Sequence, residues 1–482
     1  MLTPLPTQKW SFETAAHLLN RAGFGGTPAD IEALRKGGLR AAVSRLLDSP
    51  DERKEQNGSD GAQAWRVPEN LRSKHRELRQ LKLISPERHR EKILALAAEE
   101  HAELLDLRQW WLTRMQSTSA PLREKMTLFW HGHFATGVQK VRSVYCMWRQ
   151  NETFRRNALG DFKTLLHEIS RDPAMMIYLD LAQSQAAQPN ENWSREVMEL
   201  FTLGIGHYSE DDVRESARAF TGYRIDPTNQ QFRFVDRQHD SGRKKFLGRS
   251  GNFNGDDILD IILQQPACAE LIASKICRFF VADEPAPSLL NAVAAGLREA
   301  QFELRPVLQE LFRSAEFYSD DVIGSQIKSP VQFLIQSCKL FGRKLPPRRV
   351  TQSALQQMGQ NLFAPPNVKG WDGGKSWIST STLLFRYNFA NYLLNGTAGR
   401  PDAPAALRRA PINLGEIIPA ELRDKPEELI AHLARWLYQA QPNKKQTETF
   451  LAYLQTRAPD RGDETMRRLL HLMMSTPQYQ LT

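Results

Sequence analysis

The chain has 482 residues, 41% hydrophobic and 25% charged, a balance that suits a folded protein and excludes a disordered or collagen-like one. Its 64 Lys and Arg against 55 Asp and Glu leave +9, spread along the sequence without the basic, aromatic-interleaved stripe or reader motif expected of a nucleic-acid binder. The four cysteines form no C-x-x-C pair, no window reaches the ~18 apolar residues of a spanning helix, and no leader precedes Trp10, so the sequence reads as a cytoplasmic protein with reduced thiols and no membrane span.

From Phe12 to Ser49 the spacing predicts three short helices. Gly23 to Gly26 ends the first, Thr27-Pro28 opens the second, and Gly37-Gly38 separates it from a third carrying Leu39, Val43, Leu46 and Leu47. A polar stretch from Ser49 to Pro68 reads as a loop or linker. From Leu71 to Met115 the pattern is charged and helical, with Ile93, Leu96, Leu104, Leu107 and Trp111 as its apolar stripe, and another helix follows Pro121. Asp172-Pro173 breaks the helical stretch Asp161 to Asp180, and a polar loop runs from Gln183 to Pro189. A helix is expected from about Glu191 to Leu203, and the S-x-x-D capping signature Ser209 to Asp212 starts one that reaches Phe220. Phe232, Phe234 and Val235, the polar turn Asp240 to Arg243, and Phe246-Leu247 suit one small hairpin near 231–248.

Helices resume at Asp256 and continue to Phe341, an irregular segment spans Pro365 to Trp377, and Ser379 to Leu394 is helical again. The basic runs Arg243 to Lys245 and Arg343 to Arg349 read as solvated loop. The whole is expected to be mainly α, a multi-helix globular assembly with one small β-hairpin insertion. Its expected divisions are N-terminal helices (1–50) packing on a main helical domain (70–395), a linker (396–424) and C-terminal helices (425–482).

Four clusters could carry chemistry. On a helix, Asn192, Arg195, Glu196 and Glu199 fall on one face, either an exposed stripe with an Arg195–Glu199 ion pair or a buried network that binds substrate or metal. His131 and His133 lie among aromatic residues and could hold a divalent metal together with Glu196, provided the helix ends near Gly132; otherwise they are a structural pair. His239 beside Asp240 could be an oriented general base or plain turn chemistry. Lys369, Trp371 and Asp372 sit on a loop stiffened by Pro365-Pro366, suited either to ligand recognition or to covering the core. The Gly248 to Gly255 loop opens a helix whose first turn carries Asp256 and Asp257, which would oppose a phosphate.

These segments together resemble the bacterial family catalogued as domain of unknown function 1800. The resemblance rests on A-x-H-L-L-N-R-A-G-F-G at 15–25, F-W-H-G-H-F at 129–134, N-E-N-W-S-R-E-V-M-E-L-F-T-L-G at 190–204, A-R-A-F-T-G-Y at 217–223, H-D-S-G-R-K-K-F-L-G at 239–248 and N-V-K-G-W-D-G-G at 367–374. It implies no established reaction. It does imply that export is open and that a sulfatase- or phosphatase-like protein is a partner to consider.

Two functions follow as expectations. One is an enzyme for metal-assisted hydrolysis or group transfer, with His131, His133, Glu196, Glu199, His239 and Asp240 as catalytic groups, Asn192, Arg195, Lys369, Trp371 and Asp372 binding substrate, and a divalent metal as cofactor. The other is a binding or assembly protein that recognises an acidic protein or glycan.

Overall fold

The computed structural model describes residues 2–48, 65, 85–397, 409–440, 442–457 and 460–482. The chain is mainly helical, with two small antiparallel hairpins. The three N-terminal helices fall at Phe12–Arg21, Pro28–Gly37 and Leu39–Leu47, and the Thr27 hydroxyl and Asp30 carboxylate cap the second reciprocally. The expected loop 49–68 and the first turns of the pattern from Leu71 lie outside the described residues, apart from Trp65. A long helix, Pro86–Ser117, buries Leu96, Leu104, Leu107 and Trp111, while Ile93 is exposed.

Two large apolar clusters make most of the core of the described residues, beside a small one of Phe12, Ala15, Ala16 and Ile31. One joins the N-terminal helices to residues between 122 and 322, and the other joins the long helix to residues between 331 and 479. The helices Pro121–His133 and Val144–Arg156 contribute to both: Trp130 and Phe154 enter the first cluster, Leu128 and Met147 the second. Anything that bonds these two helices therefore ties the halves of the molecule together. All four cysteines are free and buried. Among the described residues, no helix is long and apolar enough to cross a membrane.

The β structure covers the expected 231–248 region and extends beyond it on both sides, as two hairpins instead of one. β1 (Tyr223–Ile225) pairs with β2 (Phe232–Phe234), and β3 (Lys244–Phe246) pairs with β4 (Arg249–Gly251). The 240–243 turn closes neither ladder, because Asp240 is engaged elsewhere. The basic run is loop from Arg343 to Pro347, as expected, and its last two residues open a helix, Arg348–Met358, with the prolines lying before its first turn. Of the expected 396–424 linker, Ile412, Leu414, Ile417 and Ile418 are buried in the second cluster. Beyond it come Pro426–Leu437, Lys444–Thr456, Asp463–Met474 and a final turn at Pro477–Gln480.

Candidate functional site

The helix from Pro121 runs through Gly132 to His133, so its two imidazoles project to different sides. His131 is buried against the rings of Trp111, Phe154, Phe363 and Trp371, and its Nε2 accepts the Phe363 N–H at 3.0 Å. On His133 it is Nε2 that donates, to the Phe201 carbonyl at 3.1 Å. Burial, reinforced by Arg108 for His131 and Lys275 for His133, pushes both rings down to about 3, so each is neutral. The expectation of one metal shared by His131, His133 and Glu196 is thereby corrected. The two rings bond backbone groups of different segments, Glu196 hydrogen-bonds to neither, and among the described residues no three His, Cys, Asp or Glu side chains are grouped to hold an ion.

The 367–377 loop does reach His131. Gly370 has φ +87°, and a Cβ there would collide with the Gly132 carbonyl oxygen, so only glycine lets the loop backbone lie on the helix end. Trp371 then places its ring 5.6 Å from that of His131. Lys369 and Asp372 stay outside, as an exposed ion pair at 3.3 Å.

The 192–204 stripe divides into separate local pairings. After Asn192–Glu196 the helix widens into a π-turn, Val197–Thr202, which buries Val197, Met198, Phe201 and Thr202. Arg195 bonds both oxygens of Glu210, each at 2.8 Å, and pairs with Glu191 rather than Glu199. Glu199 accepts the Tyr208 hydroxyl at 3.0 Å. Glu196 is half-buried, and that burial, with Glu199 nearby, raises its carboxyl. Asn192 donates to Asp180, which also pairs with Lys140 at 2.7 Å.

His239 and Asp240 do not form an acid–base pair. Asp240 is held by Arg218 at 2.7 Å and by the Gly242 N–H at 2.8 Å, and the Arg218 bond keeps its carboxyl below the usual range. The His239 Nδ1–H is turned to the Thr221 carbonyl at 3.0 Å. Lys244 is buried and donates to the carbonyls of Asp240 and Gly242. This motif clasps β3 to the helix Glu210–Ala219, and the reading of His239 as an oriented base is corrected to turn chemistry.

The structure instead opens a cleft of about 720 Å³ elsewhere. Helix Val144–Arg156 lends it Arg149, Thr153 and Arg156, spaced four and three apart, and helix Phe162–Ser170 lends Lys163 and His167. Arg171, Asp172, Phe232 of β2 and Asp256 complete its charged wall. Asp172 caps the helix Pro173–Tyr178 and is only 5% exposed; its Oδ1 accepts from Gln150 at 2.8 Å and from the Met175 N–H at 3.0 Å. Burial outweighs these bonds and lifts the carboxyl to about 6.

Most of the surrounding charges are already matched. His167 lies between Asp256 and Asp260, 3.1 Å from each, Lys163 pairs with Asp260 at 2.9 Å, and Arg171 pairs with Asp256. Arg156 meets Glu168 at 3.3 Å, with its side chain 60% exposed. Arg149 donates to the Gln230 carbonyl at 3.0 Å and forms no ion pair among the described residues. None of these residues stood out in sequence, since Asp172-Pro173 read simply as a helix break. The signal that was available is the Arg149, Thr153, Arg156 stripe, which leaves one face of an otherwise buried helix polar.

Fold and site together define a mainly helical protein with a cation-rich cleft and a buried carboxyl in its wall. Residues 17–481 match the family described as "Protein of unknown function (DUF1800)", and the chain belongs to it. No curated protein and no solved structure matches the chain.

Proposed function

We propose that this protein binds a small molecule bearing an acidic group in the cleft between helices Val144–Arg156 and Phe162–Ser170. The observation that carries the reading is Arg149, a guanidinium lining a cleft of about 720 Å³ with no carboxylate in ion-pair contact among the described residues, the buried Asp172 of the same wall acting on it only through space. A cleft of that size suits a small molecule, and a bidentate donor whose one hydrogen bond goes to the Gln230 carbonyl keeps N–H groups for a phosphate or carboxylate. The reading narrows the expected recognition of an acidic partner to a ligand small enough to enter. Metal-assisted chemistry at His131, His133 and Glu196 is not favoured, because the two imidazoles bond backbone groups of separate segments and the three side chains are not grouped to share an ion.

A catalytic version is favoured by Asp172. A buried carboxyl lifted to about 6 at the cleft wall can take and return a proton near neutral pH, which suits acid–base chemistry on the bound molecule. Titration calorimetry with glycerol phosphate and with lactate tests the binding reading. Saturable binding of at least one is expected in the natural protein, weakened about tenfold or more in Arg149→Ala/Arg156→Ala while thermal unfolding is preserved. Binding that the double substitution leaves unchanged, or no binding of these anions and of their aromatic counterparts phenyl phosphate and benzoate, would remove the cleft from consideration.

A further inference from the structure

Resting on that reading, we infer that the ligand carries its acidic group on a planar aromatic ring. The main cleft is joined by a second lobe of about 420 Å³, and Arg149, Thr153, Arg156 and Gln231 line both. The two arginines therefore stand at the junction of the lobes, not at a dead end.

The chemistry of the second lobe differs from that of the first. Tyr145 and Trp148 line it, with ring centroids 5.9 Å apart, and the Arg149 guanidinium lies over the Tyr145 ring at 5.7 Å. Trp65 places its ring 5.9 Å from that of Trp148. Tyr145, Trp148, Arg149, Glu152, Thr153 and Arg156 follow one another at alternating spacings of three and one, so one face of helix Val144–Arg156 sets aromatic rings beside cations.

An acidic group at the junction would meet Arg149 and Arg156, and whatever is attached to it on this side would meet Trp148. A flat ring matches that surface, because it buries apolar area against indole without needing polar partners, and stacking geometry orients it. A polyhydroxylated chain of the same size would turn hydroxyl groups on this side toward Trp148 and Tyr145, which accept hydrogen bonds poorly, and the Glu152 carboxylate in the same lobe is already paired with Arg155. The orientation also leaves the opposite side of the acidic group turned toward the lobe that holds Asp172 and His167.

Binding of phenyl phosphate and glycerol phosphate, and of benzoate and lactate, tests the inference, with calorimetry and Trp fluorescence as readouts. The aromatic member of at least one pair is expected to bind about tenfold more tightly, and the winning pair identifies phosphate or carboxylate as the acidic group. Trp148→Ala should abolish that advantage while leaving affinity for the non-aromatic member unchanged. Trp148→Leu serves the same purpose should the alanine variant fold poorly. Equal affinity within both pairs, with Arg149→Ala/Arg156→Ala still weakening all four probes, would overturn the ring assignment and leave the anion site intact. No binding of any of them would overturn both.

Discussion

Replacing Glu124 by alanine is expected to cost about 3–5 kcal/mol of unfolding free energy, a large share of the ~5–15 kcal/mol that holds a typical domain together. Glu124 is fully buried on helix Pro121–His133 and accepts from Trp111 Nε1 at 2.9 Å, Arg114 Nε at 2.6 Å and Arg155 Nε at 2.7 Å. Burial alone would raise this carboxyl, but Arg155 and Arg114 overcome it and hold it at about 2. Removing the carboxylate takes the shared counter-charge from two guanidiniums whose side chains are only 9% and 6% exposed, although Arg155 keeps its pairing with Glu152. Glu124→Gln keeps the shape and removes the charge, so it should recover little of the loss. Urea unfolding of both variants measures this, and near-wild-type stability for the glutamine variant would mean that packing, not charge, holds the junction. The effect should extend to the cleft, because Arg155 adjoins Arg156 on the helix that supplies Arg149.

Acidification is expected to unfold the protein before the carboxylates alone would require it. His131 and His133 have folded values near 3 against an ordinary value of 6.5, so their stabilising contribution is complete above pH 6.5 and is lost as pH falls toward 3. Two groups protonating only on unfolding give a slope approaching ~2.7 kcal/mol per pH unit in that window. His17, pushed down mainly by burial, acts in the same sense. Asp172 opposes them: its carboxyl is raised to about 6, so its contribution is complete below about pH 4 and is lost as pH rises through 6. The imidazoles outnumber it, and the net loss is on the acid side. Urea midpoints measured from pH 7 to pH 4 should fall steeply, and His131→Gln or His133→Gln should each flatten the slope even where it lowers stability at pH 7. An unchanged slope in both would show that neither ring is buried as neutral imidazole.

Local structure was legible in the sequence wherever neighbouring residues determine it. Thr27 with Asp30 and Ser209 with Asp212 marked their helix starts, because a capping box is a contact between residues three apart. The π-turn at Val197–Thr202 was not legible, since widening a helix by one residue answers to the packing of Phe201 and Met198 rather than to spacing. The split of the β region into two hairpins was hidden for a similar reason, since Arg218, from another helix, takes Asp240 out of the turn that was expected to join the strands.

For the candidate site, the sequence pointed to titratable groups but could not say with what they pair. Arg195 and Glu199 are correctly spaced for each other, yet Glu210 offers Arg195 two oxygens at 2.8 Å. The meeting of His131 with Trp371 was foreshadowed only by Gly370, whose missing Cβ lets the loop backbone touch the Gly132 carbonyl. The cleft draws on helices Val144–Arg156 and Phe162–Ser170, strand β2 and the start of Gly255–Leu263, each of which reads alone as an ordinary charged surface. Only their convergence turns Arg149 and Asp172 into a site.

Arginine-selective modification with phenylglyoxal, read residue by residue by mass spectrometry, tests the cleft most directly. With saturating phenyl phosphate or benzoate, Arg149 and Arg156 should become protected while Arg214, exposed on helix Glu210–Ala219, outside the cleft lining and paired with Asp211, reacts as before. Modification of Arg149 and Arg156 at the same rate with and without either anion would contradict the assignment of the cleft as the binding site.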